Sequence, residues 1–125
     1  MVLEASLSNS TAIVVSDTNI KNDIATSISH VYIANQLLIK TLHYAVLVTT
    51  TEAKLFAIRC GINQICSKDN VSKIVVVTNS IHAAKKIFDS MSHSYQGQAV
   101  AILSNLHQFF IRNQSNSIEF WECPS

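Results

Sequence analysis

The chain is short of the two residues that most often make turns. It has two glycines and one proline in 125 residues. Its turns must therefore rest on Asn, Asp and Ser, whose short polar side chains bond to nearby backbone. It has no Gly-rich phosphate loop, which argues against a small nucleotide-binding or regulatory α/β module. Charged residues make up only 14% and the net charge is +1, so no global field draws it to nucleic acid. Any such binding has to come from local patches. The three cysteines, Cys60, Cys66 and Cys123, form no CxxC pair. An odd count at that spacing suits neither a disulfide framework nor a zinc site. Cys60 and Cys66 read instead as small thiols buried beside an apolar helix. No apolar run approaches the roughly 20 residues needed to span a bilayer. Residues 1–10 lack the basic-then-apolar order of a signal peptide. The expected location is therefore intracellular, cytoplasmic or nuclear, and the Asn-X-Ser/Thr triplets at Asn9, Asn70 and Asn113 read as chance. Internal repeats and low-complexity tracts are also missing.

What is present is a large apolar fraction, 48%. A chain of this length buries roughly two-thirds of the surface its unfolded form exposes. We expect an entry segment over 1–10 and a single domain over 11–125. Three runs rich in Val, Ile, Thr and Tyr, at about 11–18, 24–33 and 38–48, read as strands. The short polar connectors Lys21-Asn22-Asp23 and Asn35-Gln36 favour antiparallel hairpins. The period then changes. Leu55, Ile58, Ile62 and Ile65 recur at helical spacing, widened by Ala53, Phe56, Ala57 and Cys60. Thr50 or Thr51 is expected to cap this helix, with Glu52 suiting its dipole. Lys73 to Thr78 is a near-continuous β-branched run, as in a strand covered on both faces. A helix over Ile81–Ser90, a loop over Ser92–Gly97, a helix over about Gln98–Arg112 and a last strand over Ile118–Glu122 follow. The order β-β-β-α-β-α-α-β gives a mixed five-stranded sheet with helices on its faces.

Three polar stations punctuate this order. Asp17 follows Ala12-Ile13-Val14-Val15-Ser16, Glu52 opens the first helix after a Thr cluster, and Asn79 ends Ile74-Val75-Val76-Val77-Thr78. Each has a plain reading. Asp17 can end a strand and cap a turn. Glu52 can be a first-turn helix acid. Asn79-Ser80 can be a strand-to-helix turn with Ser80 as N-cap. Taken together and in order they point to one site.

The order and the stations resemble the ribonuclease H family, and more narrowly the RNase H domains of fungal retrotransposon reverse transcriptases. The stretch Thr49-Thr50-Thr51-Glu52-Ala53-Lys54-Leu55-Phe56-Ala57-Ile58-Arg59-Cys60-Gly61-Ile62-Asn63 resembles that family's acidic helix start. Val76-Val77-Thr78-Asn79-Ser80 sits where the family has Thr-Asp-Ser, and Ile118-Glu119-Phe120-Trp121 resembles its last strand. The resemblance implies an RNase H-like fold that binds RNA/DNA hybrid and hydrolyses the RNA. By the same carry-over, Asp17, Glu52 and Asn79 would hold two Mg²⁺ (or Mn²⁺) ions. Thr18, Asn19, Thr50 and Ser80 would lie along the hybrid backbone. Two cations about 4 Å apart clamp the attacking and leaving oxygens of one phosphodiester, which is why such a site needs dense carboxylates.

The sequence departs from this pattern in three places. Asn79 is an amide where the family has a carboxylate. The family's fourth acid lies on a helix after the last strand, and that C-terminal helix is expected to be missing here, with Glu122 a candidate to lean toward the site. Thr18 replaces a small glycine. The expectation is an impaired nuclease; the alternative is a catalytically inactive domain of the same fold used for nucleic-acid binding or assembly. A bare sheet face around Phe120 and Trp121, or the last strand, would then invite a homodimer. The dispersed histidines His30, His43, His82, His93 and His107 suggest no metal pair. Lys54, Arg59, Lys85 and Lys86 read as phosphate contacts or as a solvated helix face. Phe109, Phe110 and Trp121 read as core rather than base-stacking platforms.

Overall fold

The structure is a computed structural model that describes residues 10–34, 36–46, 50–68, 70–85, 87 and 96–123. The entry segment 1–9, the end of the expected third strand and most of the 86–95 stretch lie outside the described residues. Along the chain run β1 (Thr11–Lys21), β2 (Ile24–Ile33), β3 (Gln36–Val46), α1 (Thr50–Cys66), β4 (Lys73–Thr78), α2 (Ile81–Lys85), α3 (Gln96–Arg112) and β5 (Ser117–Glu122). The strands form one five-stranded sheet in the order β3-β2-β1-β4-β5. β1, β2 and β3 are antiparallel neighbours, while β4 lies parallel to both β1 and β5.

The scarcity of glycine is resolved at the turns. Asn22 and Asp23 take φ values of 54° and 64°, the paired left-handed geometry of a two-residue hairpin loop between β1 and β2. Asn and Asp tolerate that region better than most residues. Ala34, at φ 54°, turns the chain after β2. Side chains finish the helices where a glycine often would. The Arg112 guanidinium donates to the Lys68 carbonyl at 3.2 Å and also to the Cys66 carbonyl, closing the end of α1. Asn116 Nδ2 donates to the Phe109 carbonyl at 2.7 Å, near the end of α3.

The main core lies between the sheet and the pair α1/α3. Leu55, Ile58, Ile62 and Ile65 of α1 and Ile102, Leu106 and Phe109 of α3 pack against Ala12, Val14, Val31, Ile74 and Val76. Helix α1 comes very close to the strands at Gly61. A Cβ added there would lie 2.3 Å from Val14 Cγ1 and 2.7 Å from Ser29 Oγ. The small residue therefore sets the depth of docking, and Ser29 Oγ is buried with no hydrogen-bond partner among the described residues. On the other face, Ile13, Val75 and Val77 form a second cluster with Val15, Tyr32 and Trp121. Among the described residues only strands contribute to it.

Some details differ from the sequence expectation. β1 continues to Lys21 because its hairpin with β2 stays in register to Lys21↔Ile24. Helix α3 starts at Gln96, so Gly97 lies inside the helix and not in a loop. α1 starts at Thr50, which puts Thr50 and Thr51 inside its first turn instead of at the cap. Phe109 is fully buried, whereas Phe110 is exposed on the outer side of α3.

Candidate functional site

Strand alternation decides where Asp17 points. Ala12 and Val14 face the helices and Ile13 and Val15 face the other way, so Asp17 shares the parity of Ile13 and Val15. The ladder between β1 and β4 ends at Ser16↔Thr78, and the next residues along each strand are Asp17 and Asn79. Register thus places these two stations side by side. Asn79 Nδ2 donates to Asp17 Oδ1 at 3.3 Å, and the Thr18 backbone N–H donates to the same oxygen at 2.9 Å. The turn that follows is set by hydroxyls. Thr78 Oγ1 accepts from the Ser80 N–H at 3.1 Å, and Ser80 Oγ accepts from the Ala83 N–H at 3.2 Å, capping α2.

Glu122 stands beside this corner. It pairs with Thr78 in the β4–β5 ladder, and its Oε2 accepts the Ile81 N–H at 3.3 Å. The carboxylate thus supports the first turn of α2, where an acid suits the free N–H groups.

Glu52 lies in the first turn of α1. That turn docks on one rung of the β1–β2 hairpin, Thr18↔Ser27. Thr18 Oγ1 and Ser27 Oγ both donate to the Ala53 carbonyl, at 3.4 and 2.9 Å. Glu52 lines a cavity of about 160 Å³ with Ser27, His43, Ala45, Ala53, Phe56 and Gln98. The His43 ring stacks on Phe56 with centroids 4.1 Å apart. Arg59 Nη1 donates to Gln98 Oε1 at 3.1 Å, tying α1 to α3 at this rim. His43, Phe56 and Gln98 were not singled out as site residues from the sequence. A signal existed: Phe56 lies one turn after Glu52 on the same helix face. Asn19 and Thr50 are exposed, whereas Thr18 and Ser80 have committed their hydroxyls to backbone partners.

The electrostatics are correspondingly mild. Among the described residues no group of three or more His, Cys, Asp or Glu side chains converges on one point. Asp17 is met by an amide that turns its hydrogens, not its oxygen, toward the carboxylate. One carboxylate engaged by two donors does not fit a pair of divalent cations, which require several anionic oxygens. Cys60 and Cys66 lie on α1 as expected but are half-buried and not enclosed. Burial pushes the Cys66 thiol up to about 11, against the pull of Arg112, and raises Cys60 against the pull of Arg59.

The element order, the sheet order and the helix pair on one face define an RNase H-like fold. Solved structures with this arrangement include the N-terminal RNase H domain of rv2228c from Mycobacterium tuberculosis, determined as a fusion with maltose-binding protein. It aligns with a TM-score of 0.76 at 13% identity, covering 92% of this chain and 88% of that one. RNase H1 from the halophilic archaeon Halobacterium salinarum NRC-1 aligns with a TM-score of 0.71 at 10% identity, covering 91% and 86%. At such identities the likeness is one of backbone path. The sequence matches no protein-family model and no curated protein. Among the described residues no helix is long and apolar enough to cross a membrane.

Proposed function

We propose that this chain is an RNase H-type domain of retroelement origin that binds RNA/DNA hybrid and whose hydrolytic step is impaired. The observation that carries the reading is the hydrogen bond from Asn79 Nδ2 to Asp17 Oδ1 at 3.3 Å. At this strand-end corner the family resemblance calls for two carboxylates. The amide removes one negative charge and occupies a lone pair of the other acid. Loss of electrostatic stabilisation at such a centre costs several kcal/mol of the barrier reduction. Binding suffers less, because hybrid recognition rests mainly on backbone contacts. Asn19 and Thr50 are the exposed polar groups we assign to those contacts. Thr18 ties β1 to the first turn of α1, and Ser80 caps α2. Mg²⁺ or Mn²⁺ would have only Asp17 and Glu52 as anionic ligands from the expected set, consistent with weak retention.

A second reading is a non-catalytic domain of the same fold that serves in nucleic-acid binding or assembly, including homodimerisation. It is favoured by the exposed apolar side chains of β3, among them Leu42, Tyr44 and Val46.

The deciding experiment compares this chain with Asn79→Asp on a labelled RNA/DNA hybrid in Mg²⁺ or Mn²⁺. We expect the parent to be inert and Asn79→Asp to cleave, with a gain on the order of a hundredfold or more over background. Mg²⁺ should also raise the melting temperature of Asn79→Asp while leaving the parent unmoved. Cleavage by the parent at the rate of the variant would sink the impaired-nuclease reading. Hybrid binding without cleavage in either protein would favour the second.

A further inference from the structure

Among the described residues, strand β3 carries a row of exposed apolar side chains at the edge of the sheet. It ends the sheet among those residues, with β2 on one side only, so one row of its backbone N–H and C=O groups has no strand partner there. Edge strands normally discourage pairing with charges, prolines or bulges along their length. Gln36–Val46 has one charged residue, Lys40, and no proline. Its irregularity is confined to the start, where the register with β2 shifts between Val31 and Tyr32. From Ile39 onward the ladder is regular to Val46. Over this stretch Ile39, Thr41, His43 and Ala45 are half-buried, while Lys40, Leu42, Tyr44 and Val46 alternate with them as exposed residues. Tyr44 and Val46 are each 63% exposed.

We propose that a second copy of this chain covers that edge. The two β3 strands run antiparallel about a two-fold axis at Leu42 and join the two five-stranded sheets edge to edge. The choice of a second copy comes from the strand's own pattern. With Leu42 opposite Leu42, Tyr44 falls opposite Lys40, and Val46 reaches the bulge at Leu37 and Leu38. Apolar residues then meet apolar residues, and the one cation of each strand lies across from an aromatic ring of the other. The neighbouring registers are poorer. An axis at Lys40 sets two lysines directly opposite, and axes at Thr41 or His43 set Lys40 against Leu42 or Val46. A C2 contact requires such self-complementarity, and one strand here supplies both halves. An edge pairing of two strands lies at the small end of specific interfaces, so a weak, concentration-dependent dimer is expected. The inference stands on the fold alone and not on hybrid binding. A failed cleavage assay and a failed association assay therefore remain separate results.

The test is sedimentation velocity over a concentration series, joined to disulfide trapping in a Cys123→Ser background. The parent should move from monomer to dimer as concentration rises. Leu42→Lys should weaken that dimer at least tenfold while circular dichroism and melting temperature stay at the parent's values. Under mild oxidation Leu42→Cys should form a covalent dimer well above the Cys123→Ser background, and Val46→Cys should not. Trapping is read on proteins that do not depend on Leu42→Lys folding. A parent that stays monomeric throughout, a dimer indifferent to Leu42→Lys, or trapping at Val46→Cys as fast as at Leu42→Cys would each overturn the proposal. So would association beyond a dimer, which a closed two-fold contact forbids.

Discussion

The two faces of the sheet are built from the same strands yet reach different ends. On the helix side, alternate residues of β1, β2 and β4 meet α1 and α3, and Ile58, Ile62 and Ile102 are fully buried. On the other side burial is divided. Ile13, Val75 and Val77 are enclosed on β1 and β4, but Ile24, Leu42, Tyr44 and Val46 on β2 and β3 are exposed. Apolar character alone therefore does not place a residue in the core. On the helix side α1 supplies the cover, because Gly61 lets its backbone settle against Val14 and Ser29. Stability should accordingly be concentrated on one face, while the other keeps apolar surface for association.

The comparison can be broken most directly by truncating a large side chain on each face. Phe109→Ala, in the main core, should cost about 3–5 kcal/mol. Tyr44→Ala, on the exposed side, should stay within about 0.5 kcal/mol at monomeric concentrations. Urea titrations of the two variants measure both, and equal losses would show that the faces are not so different. The docking depth of α1 comes next. Gly61→Ala should destabilise by about 1–3 kcal/mol, since its Cβ would overlap Val14 and Ser29. Pairing it with Val14→Ala should return part of that loss, and the same urea curves would reveal the coupling.

The smallest effect is a pH slope. Cys66 is held up to about 11 in the folded chain against an ordinary 9.0, first by burial. The folded state then keeps its proton where the unfolded state has lost it. The stabilisation is complete below pH 9 and fades as pH rises toward 11. Melting temperatures from pH 8 to 11 should therefore fall less steeply for Cys66→Ala than for the parent, and parallel slopes would count against a buried thiol. Solvent reaches part of this side chain, so the difference will be modest.

Much of the architecture could be read without coordinates, for reasons that differ from element to element. The spacing of Leu55, Ile58, Ile62 and Ile65 named the face of α1 because a helix repeats every 3.6 residues. The β-branched run before Asn79 marked a strand covered on both sides, and β4 does lie between two parallel neighbours. Asn22-Asp23 was recognisable as a turn because these residues accept positive φ. Gly97 misled, because a glycine at the start of a helix looks like a loop until the helix is seen to include it.

At the candidate site the division is sharper. Local pattern was enough to cast Ser80 as a cap, while Asp17, Glu52 and Asn79 were marked by their order along the chain and the family resemblance. The sequence also held the full information that Asn79 is an amide. The geometry came only from the parallel register of β1 and β4, which sets Asp17 beside Asn79, and from the docking of α1, which sets Glu52 in a cavity with His43 and Gln98. Local periods are written into neighbouring residues, whereas these partnerships join positions separated by tens of residues. They exist only once the sheet has closed its ladders and the helix has found its depth, and that depends on the whole core at once.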